Sequence, residues 1–220
     1  MRQTLDQDSE QPRLGSPEEP TAYDRVAYSS YPHEETYPDR LCVVAALHGM
    51  SPADASNCRV LELGCGSGTP ESARLARQFR LTGVDISPRQ VERSRAAVPD
   101  AEFLCADFTD LELDAGSFDA VVSFYAFNHV PRELLAPLLV DVHAWLVPGG
   151  WLMAAFGQSD NAGWTGEWLG AETFFASFPP EVNSQLVRDA GFAIERDEVV
   201  EFLEPDPDGP ARFQWVLACA

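Results

Sequence analysis

The chain has 220 residues, 45% hydrophobic and 23% charged, which gives a globular protein room for one well-cored domain. Fifteen Lys and Arg stand against 35 Asp and Glu, a formal net charge of −20. A partner built of phosphates needs clustered cations, so nucleic acid and anionic membrane surfaces are excluded, and a small-molecule substrate is expected.

The five cysteines, Cys42, Cys58, Cys65, Cys105 and Cys219, are odd in number and show no Cys-x-x-Cys spacing. Reduced thiols in a cytoplasmic protein are the expectation. The N-terminus is too polar and acidic for a secretory signal, and no apolar run is long enough to span a bilayer.

Residues 1–20 are nearly devoid of apolar side chains and rich in proline, the pattern of a disordered tail. Residues 21–50 follow as cap helices before the core. They hold four of the chain's five tyrosines, Tyr23, Tyr28, Tyr31 and Tyr37, then "DRLCVVAALHGM" with helical apolar spacing between Pro38 and Gly49.

From residue 58 onward, β-rich runs alternate with helical ones. The runs "RVLELG", "RLTGVD", "AEFLCA", "FDAVVSFYA" and "GWLMAAFG" predict strands. Between them, "TPESARLARQF" and "SPRQVERSRAAV" predict helices, each opened by a capping hydroxyl and a proline (Thr69 and Pro70, Ser87 and Pro88). In "VPRELLAPLLVDVHAWLVPGG" two prolines compete, and the reading is a short turn followed by a helix starting near Pro137. The long connection over 158–179 carries Trp164, Trp168, Phe174, Phe175 and Phe178 and is read as an aromatic lid loop. A helix at "PPEVNSQLVRDAGF" and two strands joined by "LEPDPDGP" complete the chain. The whole predicts an α/β fold, Rossmann-like and doubly wound, with a mainly parallel seven-stranded sheet ending in an antiparallel hairpin.

The densest signal is "VLELGCGSG", a strand that runs into Gly64, Gly66 and Gly68 ahead of a helix. Glycines there permit a tight turn and a close backbone approach, and the helix start points N–H groups at a ligand. Thr69 stands where a pyrophosphate fingerprint needs its last glycine, and a phosphate loop's Gly-Lys-Ser/Thr is missing. Glu62 would repel a phosphate but suits a hydroxyl, ammonium or sulfonium. Asp85 ends the next strand, where a carboxylate binds ribose hydroxyls. Asp107 ends the third, placed to accept from an exocyclic amine, with Phe108 and Ile86 able to sandwich a flat ring.

These motifs, with "GVDIS", "ADF", "FDAVVSFYAFNHV" and "WLVPGGWLM" in order over residues 58–157, resemble the class I S-adenosylmethionine-dependent methyltransferases. The resemblance implies that Gly64, Cys65 and Gly66 approach the methionine end of the cofactor, with Glu62 behind them. It implies Asp85 on the ribose, Asp107 and Phe108 on adenine, and the backbone at Ser123 and Phe124 near the ammonium. A tyrosine corresponding to Tyr23 or Tyr28 would reach the cofactor carboxylate.

Methyl transfer needs alignment, exclusion of water and sometimes a base. His129, just beyond the fourth strand, is the base candidate; helix capping and cofactor support are its other readings. Tyr125 and Asn128 share that edge as candidates for catalysis and substrate orientation. Trp164, Glu167 and Trp168 in the long connection are the substrate candidates, the tryptophans as a lid or as core padding. No metal is expected. The expected activity is methyl transfer to a small, partly aromatic or apolar acceptor in specialised metabolism, with oxygen preferred because His129 offers a base. A cyclase or isomerase using the same cofactor, or a non-catalytic cofactor-binding partner, remain the alternatives, in a monomer or homodimer.

Overall fold

The computed structural model describes residues 55–68, 70–168, 170–203 and 210–220. The expected tail and cap helices, with Tyr23 and Tyr28, lie outside the described residues. The elements in chain order are β1 (Arg59–Leu63), α1 (Pro70–Ala76), β2 (Arg80–Asp85), α2 (Pro88–Ala97), β3 (Glu102–Cys105) and β4 (Phe118–Ser123). A 3₁₀ turn (Phe127–His129) leads to α3 (Arg132–Trp145), β5 (Leu146–Gly157), β6 (Asn161–Trp168) and β7 (Ala171–Ser177). The chain closes with α4 (Pro180–Asp189), β8 (Ala193–Leu203) and β9 (Pro210–Cys219). Among the described residues no helix is long and apolar enough to cross a membrane.

Seven strands form one sheet in the order β3-β2-β1-β4-β5-β9-β8. Pairing is parallel from β3 to β5 and antiparallel at β5–β9 and β9–β8. This is the doubly wound sheet with a terminal antiparallel hairpin that the sequence predicts. Successive residues of each central strand feed opposite faces. Leu61, Val121, Leu152 and Val216 pack with α3 and α4, whereas Val60, Val122, Met153 and Trp215 pack with Leu75 of α1. The chain moves outward from β1 through β2 to β3, then returns to lay β4 on the other side of β1. That reversal opens a crevice at the carboxyl ends of β1 and β4, where sheets of this kind bind ligands.

Two local expectations change. α3 begins at Arg132 and runs straight through Pro137. Its buried stripe, Leu135, Leu138, Leu139, Val142 and Trp145, has helical spacing throughout and outweighs the one backbone bond that the proline deletes. Pro137 and Glu133, whose carbonyl loses that bond, are both exposed, so water replaces it. The connection after β5 is no irregular loop: β6 and β7 pair as a separate antiparallel hairpin, joined in sequence by Leu169 and Gly170.

The C-terminal hairpin is tied to α4 and β5 by buried amides. Asn183 Nδ2 donates to Gly157 O, Phe178 O and Gln214 Oε1. Gln214 Nε2 donates to Pro180 O, Ser184 Oγ and Asp197 Oδ1.

Because the proline costs α3 a hydrogen bond on an exposed face, Pro137→Ala is expected to raise the unfolding free energy by about 2 kcal/mol. That figure is the helix penalty less the unfolded-state entropy a proline removes. Denaturant titration of both proteins checks it; an unchanged midpoint would mean the helix is already kinked to suit the proline.

Candidate functional site

The crevice is built from the turns that leave β1, β2, β3 and β4. After β1 the chain takes the left-handed conformation at Gly64, Gly66 and Gly68, with φ of +76°, +55° and +74°. The Gly64 and Cys65 amides both donate to Val84 O, at 2.8 and 3.0 Å, which folds the loop onto the end of β2. A Cβ at Gly64 would lie 2.3 Å from Ala126 Cβ and 3.8 Å from Phe108 Cε1; one at Gly68 would lie 2.9 Å from Ser94 Cα. Protein therefore crowds these two glycines. The Cys65 side chain points into the cluster of Val91, Val98 and Phe103, and burial pushes its thiol up.

Asp85 organises the loop. Its Oδ2 accepts from the Gly66 amide and its Oδ1 from the Ser87 amide, both at 2.9 Å. Ser87 in turn caps α2 by accepting from the Gln90 amide. Ile86 is half-buried beside it. Asp107 Oδ1 accepts from both the Thr109 amide (2.9 Å) and hydroxyl (2.7 Å), leaving Oδ2 outside that turn. Half-buried Phe108 reaches towards Gly64, so the β1 and β3 turns converge as the sequence implies.

Glu62 is 2% exposed. Ser72 Oγ donates to its Oε1 at 3.0 Å, whereas Oε2 has no hydrogen-bond partner. Burial pushes the carboxyl up to about 8, with Glu71 and Asp85 adding to the shift and the Ser72 bond opposing it. A buried carboxyl with one unused oxygen fits a cationic donor such as an ammonium.

The β4 turn supplies the other wall. Ser123 is buried and donates to Leu63 O at 3.2 Å, stitching β4 to β1. Phe124 packs on Trp215. Tyr125 has φ +64°, the only left-handed non-glycine among the described residues. Its ring sits edge-on to Phe213 and Trp215, on the α1 side of the sheet. That orientation gives it a packing role, and its strained backbone carries Ala126 onto Gly64.

His129 Nδ1 lies 2.9 Å from Phe174 O. A carbonyl only accepts, so Nδ1 carries the proton. The ring packs against Phe175 at 4.7 Å and Trp168 at 6.0 Å. Burial lowers its pKa to about 4, against a smaller opposing effect from the Phe174 bond. Neutral at physiological pH, it is a weak base and a good anchor for the β6–β7 hairpin. Arg132 adds a second tether that sequence reading missed. It donates to Ser177 O, pairs with Asp160 and lies over the Phe178 ring at 4.3 Å. Its place three residues after His129 was the available signal.

Strand alternation divides the hairpin candidates. Trp164 and Trp168 share a face with Phe175, and Trp164 is 53% exposed. Glu167 points the opposite way, directly across from Glu172, and is not brought together with the tryptophans.

Residues 60–150 match a family model described as a methyltransferase domain. Over 109 residues the chain is 39% identical to the 2-methyl-6-phytyl-1,4-hydroquinone methyltransferase of Synechocystis, covering 46% of this chain and 33% of that one. Over 117 residues it is 37% identical to the demethylmenaquinone methyltransferase of Clavibacter sepedonicus, covering 51% and 45%. The chain thus spans less than half the length of either relative. Among solved structures, a SAM-dependent methyltransferase from Methanosarcina mazei superposes with a TM-score of 0.66 at 18% identity, over 74% of this chain and 92% of that one, a likeness of fold.

The lowered His129 pKa predicts a pH signature. The unfolded chain binds a proton at this ring below about 6.5, while the folded protein resists until about 4. Stability contributed at this position is therefore present above 6.5 and lost as pH falls towards 4. Relative to His129→Gln, the native protein is expected to lose about 1–3 kcal/mol over that window in denaturant titrations. Parallel profiles would mean that the ring charges freely in the folded state.

Proposed function

We propose that this chain, whose residues 60–150 match the methyltransferase-domain model, is a class I S-adenosylmethionine-dependent methyltransferase that binds its cofactor in the β1–β4 crevice and methylates a small, partly aromatic or apolar acceptor. The observation that carries the reading is Glu62, a fully buried carboxyl whose Oε2 lacks a partner at the foot of the glycine loop. The cofactor supplies a methyl group on a positively charged sulfur. In this reading Glu62 accepts from the methionine ammonium. Asp85, held by the Gly66 and Ser87 amides, has lone pairs left for ribose hydroxyls. Asp107 Oδ2 accepts from the adenine amine, and Phe108 and Ile86 flank the ring.

On the acceptor side, the aromatic face of the β6–β7 hairpin excludes water and packs a flat molecule. A ring with a pKa of about 4 does not take a proton from an alcohol or phenol at neutral pH, which removes the reason to prefer an oxygen acceptor. His129 instead positions the hairpin, and the site suits an acceptor atom that is nucleophilic while uncharged.

Calorimetry with S-adenosylmethionine and S-adenosylhomocysteine, on protein freed of copurified ligand, tests both parts. Micromolar binding is expected. Since Glu62 is mostly protonated at pH 7 and an ammonium beside it favours the carboxylate, binding is expected to release up to about one proton. Release is read from the difference between buffers of unequal ionisation enthalpy. Binding without it would place the ammonium elsewhere, and no binding to either compound would sink the proposal.

A further inference from the structure

Three carboxamide side chains are at least nine-tenths buried around the β5 and β9 ends of the site, and they divide sharply. Asn183 and Gln214 are bound on several sides by carbonyl, hydroxyl and carboxylate oxygens. Asn128 is 8% exposed, yet its Oδ1 has no hydrogen-bond partner. A buried carbonyl left in that state costs about 1–3 kcal/mol. Folding therefore gains nothing from this amide that a leucine would not supply better.

Its position explains what it is for. Asn128 lies in the 3₁₀ turn between Phe127, in the core, and His129, under the hairpin. A Cβ built at Gly157 would stand 3.5 Å from Asn128 Cβ and 2.7 Å from Ser177 Cβ, so the asparagine stands at the root of the hairpin. The next residue, His129, packs on Phe175 and Trp168, which with Trp164 form the aromatic face of the hairpin, where the Trp164 ring lies over Gly166. The charges nearby are unavailable to a ligand there. His129 is neutral, Arg132 is engaged by Ser177 O, Asp160 and Phe178, and Glu167 and Glu172 project from the opposite hairpin face.

We propose that Asn128 is a specificity-determining residue of the acceptor site, its Oδ1 accepting a hydrogen bond from an N–H or O–H of an uncharged, planar acceptor stacked on the hairpin aromatics. This rests on the methyltransferase reading. An anionic acceptor would be desolvated there without a cation, and a cationic one without a carboxylate. A molecule lacking the donor leaves Oδ1 unsatisfied, the kind of difference by which sites discriminate strongly.

The test uses the full chain saturated with S-adenosylhomocysteine and three probes: indole, 1-methylindole and indole-3-carboxylate. Saturation-transfer NMR titrations are expected to give indole an affinity about tenfold above the other two. In Asn128→Leu the preference over 1-methylindole disappears, while the thermal midpoint is unchanged or rises. A merely structural amide would lower it. Equal binding of indole and 1-methylindole, binding of neither, or a preference that survives in Asn128→Leu overturns the proposal. Calorimetry of S-adenosylhomocysteine on the same samples separates the causes. If the nucleoside binds and discrimination is absent, only the role of Asn128 falls; if it does not bind, the methyltransferase reading falls with it.

Discussion

The approach of two turns, one leaving β1 and the other leaving β4, is the constraint on which the site depends. Parallel neighbours in a doubly wound sheet end side by side, and the chain reversal between β1 and β4 opens a crevice at their carboxyl ends. Here the Ser123 hydroxyl ties the two strand ends, and the backbone at Gly64 comes so close to Ala126 that no side chain fits between. Gly64 satisfies this with a left-handed φ that glycine adopts without strain. Tyr125 does so with a left-handed φ that an aromatic residue adopts only under strain, offset by its packing on Phe213 and Trp215. Everything later in the chain that touches the site is aimed by this contact. The 3₁₀ turn follows directly, and it carries Asn128 and His129 to the hairpin.

Charge is the second organising influence. The crevice gathers carboxyls on adjacent strand ends, in a chain already at −20. Burial pushes the Glu62 carboxyl up to about 8, and the neighbouring Glu71 and Asp85 add to the shift. Such an arrangement is unfavourable until a cation enters. A ligand bearing an ammonium and a sulfonium suits such a group of acids, whereas a dinucleotide pyrophosphate would add like charge.

Much of this was legible in the sequence. The seven strands of the main sheet and the caps at Ser87 and Pro88 follow from periodicity and turn chemistry, because parallel strands buried on both faces leave short apolar runs. Glu62 and Asp85 fall where strand ends put them, since one residue's shift would turn each to the wrong face, and Asp107 and Phe108 follow in the turn after β3. Pro137 misled because its cost is local and the apolar stripe on α3 is long. The hairpin misled because a connection of that length between strand and helix reads as a loop, although Trp164, Gly166 and Trp168 alternate and Leu169–Gly170 is a two-residue connection ending in glycine. What no local pattern carries is a partner distant in sequence. The Phe174 carbonyl that engages His129 is 45 residues away, and so is the Ser177 carbonyl that engages Arg132.

Those two contacts change the meaning of the histidine. An imidazole at a strand end reads as a base when its surroundings are unknown, because its unperturbed pKa is near neutrality. Once its Nδ1 proton is committed to a backbone carbonyl and its ring is enclosed by Phe175 and Trp168, the same residue becomes an uncharged strut. The arginine one helical turn later braces the far end of the same hairpin. Both struts are engaged by the protein itself, and at the hairpin root the Asn128 Oδ1 is a buried polar atom without a hydrogen-bond partner among the described residues. On the proposed reading, selection among acceptors rests on a neutral hydrogen bond and an aromatic face. In a crevice lined by carboxyls, that division would let the cofactor be chosen by charge and the acceptor by shape and a single donor.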